Sequence, residues 1–168
     1  NSEMVGRIID RKMKNNFLKI ILFLISIAIF GYHLTSLLIH WSEIPNEIPI
    51  HFQNGEPNNW GPKYLLFILP GLSIILWLLI GLLTKNSKKL NYVNLTEKNK
   101  EQQYKRVGNM LVLVQYFSAT GLVLLNETFL RELMGMDASI ALYTAIILLA
   151  ACVILPFYYL FWAATLKY

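Results

Sequence analysis

Cysteine is almost missing from this chain: Cys152 is the single one among 168 residues, and it sits in an apolar stretch. That excludes an intramolecular disulfide and any paired-cysteine metal or redox motif. Charge is scarce too, at 15% of residues, against 55% hydrophobic ones. With a mean hydropathy of +0.46, water is not the main solvent of this protein. There is no glycine-rich phosphate loop, no nucleophile elbow, no HExxH pair and no paired carboxylates within one apolar run. The common signatures of nucleotide-dependent enzymes, serine hydrolases and zinc proteases are therefore lacking. No internal repeat or low-complexity segment divides the chain, and heavy use of Lys, Asn and Ile suits an AT-rich, bacterial genome.

What the sequence does have is long hydrophobic runs. A helix needs roughly 20 apolar residues to cross a bilayer, and four runs qualify: 17–39, 64–83, 107–129 and 138–166. The first is broken only by Lys19, which can snorkel. The third is the most polar, and the fourth ends in the aromatic belt Tyr158, Tyr159, Phe161 and Trp162. Pro70 and Pro156 are expected to kink their helices. The expected fold is all-α, a single polytopic membrane domain of residues 1–168. It is a four-helix bundle with a small ordered extracytoplasmic loop at 40–63 and a cytoplasmic linker at 84–106. Thr96 to Arg106 is rich in helix formers and is expected to extend the third helix.

The formal charge of +5 is explained by topology. Arg7, Arg11, Lys12 and Lys14 precede the first run; Lys85, Lys88, Lys89, Lys98, Lys100, Lys105 and Arg106 lie between the second and third. The other side has only Lys63 and Arg131 as basic groups, against Glu43, Glu47, Glu56, Glu127, Glu132 and Asp137. The positive-inside rule then puts both termini and the linker in the cytoplasm of a plasma-membrane protein. No nucleic-acid partner is implied. The first run is long and lacks a small-x-small cleavage site, so it is expected to stay as an anchor. The lipid bilayer is the obvious partner, and the basic linker suits anionic lipid or a cytoplasmic protein.

The loop between the first two runs is dense in turn formers and aromatics. Residues 48–52 read as a short strand and Asn54-Gly55 as a type I′ hairpin turn. Asn59 is expected to cap the second helix and Pro62 to fit its first turn. The pattern Ile44-Pro45, Pro49-x-His51-Phe52, Gly55-x-Pro57, Trp60-Gly61-x-Lys63, followed directly by a hydrophobic helix, resembles the short N-terminal domain of unknown function of SdpI-type immunity proteins. The resemblance covers roughly residues 20–75. It implies protection of a toxin-producing cell from its own membrane-active peptide, with signalling by recruiting a repressor to the membrane. Asn58 stands where that pattern usually has an acidic residue, and residues 107–168 do not resemble the C-terminal part of those proteins.

Candidate ligand-binding residues are His51, Phe52, Glu56 and Trp60 on the loop, and Gln115, Asn126 and Glu127 in the third run. Polar groups at membrane depth face a bundle interior or line a cavity. Asn109 and Ser118 share that polar side. His33 and His40 lie about 10 Å apart along one helix face. With Glu43, or with Glu47, Glu56 or His51, they form a weak candidate site for a divalent metal; otherwise no cofactor is expected. Interhelical hydrogen bonding for His33, an interfacial position for His40 and a hold on the loop backbone for His51 are the structural readings. Three functions follow as alternatives: a peptide-binding protection protein, a small transporter subunit or accessory, and a metal-dependent membrane hydrolase. The first is favoured, and no enzyme signature supports the last.

Overall fold

The computed structural model describes the backbone of residues 2–166 and the side chains of residues 17–166 except Phe52. The basic side chains Arg7, Arg11, Lys12 and Lys14 thus lie outside the described residues. Four long helices, α1 (Ser2–Ile39), α2 (Ile68–Lys85), α3 (Lys100–Leu133) and α4 (Ser139–Ala164), carry the four apolar runs. Each is long and apolar enough to cross a membrane, and the chain is a multipass membrane protein. Between α1 and α2 stands a two-stranded antiparallel hairpin, β1 (Glu47–Gln53) and β2 (Glu56–Pro62).

The hub of the bundle is α3. Half of its apolar window is buried, whereas only 6% of those of α1 and α4 is, as suits helices for which lipid is the solvent. It packs extensively against α4 and α2 and more sparsely against α1. Small residues make the close approaches, because dispersion contacts between backbones must replace the hydrophobic effect in lipid. Gly121 on α3 faces Leu149 and the Ala145 carbonyl of α4, and Ala145 is fully buried. On the α2 side, Gln115 lies over Gly81 and donates from Nε2 to the Trp77 carbonyl at 2.9 Å.

Helix α1 is joined to α3 mainly by polar rungs. Ser26 and Thr120 hydroxyls are 2.8 Å apart, and one heptad further along both helices His33 meets Glu127 at 2.7 Å. Both pairs have the same sequence offset of 94, so α1 and α3 run parallel with a seven-residue repeat, as in a left-handed helix pair.

The hairpin turns at Asn54-Gly55, with φ of 54° and 85°; positive φ at both positions is what a type I′ turn demands. Ile48 points down into an apolar cluster with Ile44, Leu37 of α1, Leu66 and Leu130 of α3, so the cap is packed onto the bundle. Asn59 belongs to β2 and its Oδ1 accepts from the Trp60 N–H at 2.9 Å. The expected cap of α2 by Asn59 is thus corrected: a 3-10 turn, Lys63–Phe67, intervenes, with Pro62 as its N-cap. Pro70 falls in the first turn of α2, where the helix has no use for its missing donor, so it imposes no kink. Pro156 is inside α4.

At the far end of the hairpin side, α3 stops in a Schellman motif. Gly135 has φ of 66°, its N–H reaches the Glu132 carbonyl at 3.1 Å, and the Met136 N–H reaches that of Arg131 at 2.8 Å. Asp137 then accepts from the Ser139 hydroxyl at 2.6 Å and its N–H at 3.0 Å, which holds the Asp137 carboxyl below the usual carboxylate range.

Candidate functional site

The loop motif divides into a buried half and an exposed half. Lys63 donates from Nζ to the carbonyls of Trp41 at 2.9 Å and Ile44 at 3.2 Å, and sits 4.8 Å from the centroid of the Trp41 ring. It therefore closes the turn that follows α1, where a cation meets the negative end of the helix dipole. Gly61 lets the strand approach closely: a Cβ there would be 2.7 Å from Leu65 Cδ1 and 3.1 Å from Ile50 Cγ2, so those side chains would have to shift. Ile44 and Ile48 fill the apolar cluster below. These residues build the cap.

The other half faces outward. Trp60 and Ile50 are about half exposed and Tyr64 more so, while His51 and Glu56 are exposed and their side chains have no hydrogen-bond partner among the described residues. His51 does not tie down the loop backbone; that work falls to Lys63. Asn58 bridges the strands by donating to Gln53 Oε1 at 2.9 Å. The side chain of Phe52 lies outside the described residues.

Beneath the cap is a buried polar network, the site that the sequence candidates Asn126, Glu127 and His33 jointly form. Glu127 Oε2 accepts from His33 Nδ1 at 2.7 Å, and Oε1 accepts from Arg131 Nε at 2.8 Å. Asn126 Nδ2 donates to the Leu66 carbonyl at 2.7 Å and lies 2.8 Å from His33 Nε2. A carbonyl can only accept, so the Asn126 amide nitrogen must face this way, and Nε2 of His33 must accept its second proton. His33 is accordingly the neutral tautomer with its proton on Nδ1, directed at Glu127. Arg131 continues outward, donating from Nη2 to the Tyr32 hydroxyl at 2.8 Å and from Nη1 to the Asp137 carbonyl at 3.2 Å. His33, Asn126 and Glu127 are at most 2% exposed. One carboxylate, one guanidinium and one neutral imidazole thus form a neutral set at membrane depth, a condition for burying charge in lipid.

Both imidazole nitrogens and both carboxylate oxygens of the network are engaged inside the protein. The network holds α1, the 3-10 turn and α3 together. The metal candidates do not converge. His33 is turned to α3, whereas His40 pairs with Glu43 at 3.1 Å, and no group of three His, Cys, Asp or Glu side chains is assembled among the described residues. Gln115 stands apart, bonded to α2, and Asn109 is exposed. Arg131 and Tyr32 were missed by the sequence reading; the i, i+4 spacing of Glu127 and Arg131 was the available signal.

One helical turn below the network, a groove of about 230 Å³ opens between α1, α2 and α3. Phe23, Ile27 and Phe30 form one wall, Ser73, Ile74 and Trp77 another, and Tyr116, Ala119, Thr120 and Val123 the floor. Its rim residues Phe23, Ile27 and Ile74 are close to half exposed, and all lie in the middle of apolar spans. The groove therefore opens sideways, into hydrocarbon. A site of this volume exceeds the engineered cavity of about 150 Å³ that takes up benzene, so it has room for one or two apolar side chains.

No curated protein and no solved structure matches the chain. Residues 20–74, which hold most of α1, the hairpin and the start of α2, match a protein family described as a domain of unknown function (DUF1648).

Proposed function

We propose that this chain is a bacterial plasma-membrane protein that binds the apolar part of a membrane-active peptide within the bilayer, thereby protecting the cell that makes it. The observation that carries the reading is the lateral groove between α1, α2 and α3. It is apolar, it opens at the depth where such a peptide inserts, and it is roofed by the His33–Glu127–Asn126 network. Above the roof, exposed Trp60, Ile50 and Tyr64 suit the headgroup layer, where aromatic rings settle and a peptide first arrives. The likeness of the loop motif to SdpI-type immunity proteins supports the ligand class. In this reading the hairpin faces outward, and the basic linker end and both termini face the cytoplasm.

The test is survival of a sensitive bacterium challenged with a panel of membrane-active peptides, with variants compared at matched membrane abundance. Wild type should protect against at least one peptide. Ala119→Phe, which fills the floor, and Ile74→Trp, which narrows the mouth, should each lower the protective effect at least about tenfold, the equivalent of about 1.4 kcal/mol of binding. His51→Ala and Trp60→Ala should also weaken it, by removing the exposed face of the cap. Full protection by both groove variants would remove the groove from the account, and a wild type that protects against none of the peptides would remove the function.

A further inference from the structure

The end of the bundle opposite the hairpin is built on a braced segment, not a free linker. Asn94, with φ of 51°, directs Nδ2 to the carbonyls of Ala163 and Ala164 at the end of α4, each at 3.3 Å, and of Leu166 just beyond it at 3.4 Å. Asparagine is one of the few residues that tolerates this backbone region. Asn99 donates to the Asn94 carbonyl at 2.8 Å, and Gln103, fully buried, donates to the Val93 carbonyl at 3.0 Å while accepting from the Tyr159 hydroxyl at 2.7 Å. This bracing fixes residues 93–95 against the end of α4. It leaves Val93 and Leu95 each 41% exposed.

Around this pair the charge is one-sided. Lys85, Lys88, Lys89, Lys98, Lys105 and Arg106 are exposed, and the acids of the segment are Glu97, which is paired with Lys100, and Glu101. Two of the cations are held on aromatic platforms: Arg106 lies 4.0 Å from the Trp162 centroid and Lys88 5.8 Å from that of Tyr104, itself stacked edge-on against Tyr92. Stacking of this kind keeps a cation in place without using up its charge. All of these groups sit where α2, α3 and α4 leave their apolar spans, which is headgroup depth. Apolar residues projecting amid fixed cations at that depth match one environment, a layer of phosphates over acyl chains.

We propose that this end of the bundle is a binding site for anionic phospholipid: headgroup phosphates engage Lys88, Lys89, Lys105 and Arg106, and Val93 and Leu95 insert between the headgroups. The site is independent of the groove and of its ligand. The experiment uses the full chain in nanodiscs of phosphatidylcholine with and without phosphatidylglycerol, reading the lipid retained on transfer to detergent by native mass spectrometry. Wild type should retain phosphatidylglycerol in preference to phosphatidylcholine, less so as salt is raised. Each of Lys88→Gln, Lys89→Gln, Lys105→Gln and Arg106→Gln should lower that preference, by about fivefold per charge, with unchanged helix content. Val93→Ser with Leu95→Ser should lower it at constant charge. No preference in the wild type, or one that survives all four glutamines, would overturn the proposal. Equal competition by soluble glycerol phosphate would overturn it as well, because the site would then recognise free phosphate and not a membrane.

Discussion

Glu127→Ala is expected to loosen α1 from the bundle and to lower stability by about 3 kcal/mol, measured by reversible unfolding in mixed micelles. Removing one partner of a buried ion pair typically costs about 3–5 kcal/mol, because the other is left without compensation. The low end applies because the Arg131 side chain is 30% exposed and part of its charge is screened. Two groups lose their acceptor at once. The buried Nδ1–H of His33 is stranded in an apolar setting, and the Arg131 guanidinium keeps only Tyr32 and the Asp137 carbonyl. Since Glu127 anchors both His33 and Arg131, and Arg131 in turn reaches Tyr32, the loss should be visible as faster proteolysis at the end of α1. Arg131→Ala should cost at least as much, since it leaves the buried Glu127 carboxylate beside a neutral imidazole with no cation, and combining the two changes should be less than additive. A Glu127→Ala protein as stable as wild type would mean that the network does not fasten α1.

Gly121→Leu is expected to separate α3 from α4, the most extensive helix contact in the molecule. Even a single methyl at this position would be 2.9 Å from both Cγ and Cδ2 of Leu149 and 3.6 Å from the Ala145 carbonyl, so a branched side chain has nowhere to go unless the helices move apart. Overpacking a core costs about 1–3 kcal/mol, and the upper figure applies because the obstruction includes the Leu149 Cγ branch point and not only a side-chain tip. The same unfolding measurement serves, and Leu149→Ala should recover part of the loss by vacating the space. Gly121→Leu at wild-type stability would contradict the close approach of the two helices. The contrast with Glu127 is instructive: one change removes a polar fastening, the other forces apart an apolar fit, and each attacks a different partner of α3.

Much of this could be read before any coordinates. The four spans follow from run length, because a bilayer sets a length scale that the sequence must meet. The hairpin follows from Asn54-Gly55, whose positive φ values few other pairs would accept. The polarity of the third run, with Gln115, Ser118, Asn126 and Glu127, signals that α3 is the buried helix. What could not be read is which polar groups meet. His33 and His40 share a helix face, which makes them a metal pair on spacing alone, yet the lateral position of α1 against α3 turns His33 to Glu127 and leaves His40 to Glu43. Helical periodicity fixes a face, not the neighbour opposite it. For the same reason Asn59 read as a helix cap, when strand pairing carries it into β2, and Lys63 read as a motif residue without a task until the turn at Trp41 and Ile44 folded beneath it. The groove left no mark in the sequence, since it depends on how α1 and α2 both lean on α3.

The central claim is that an apolar ligand enters the groove from the bilayer. It is tested most directly by a membrane-active peptide with a photoreactive group on its apolar segment, activated in vesicles containing the full-length protein and mapped by mass spectrometry. The account predicts adducts on groove residues, on Phe23, Ile27, Ile74, Trp77 or Tyr116, and their loss in Ala119→Phe. Adducts spread over the outer face of α4, or confined to the hairpin and unchanged by Ala119→Phe, would contradict it.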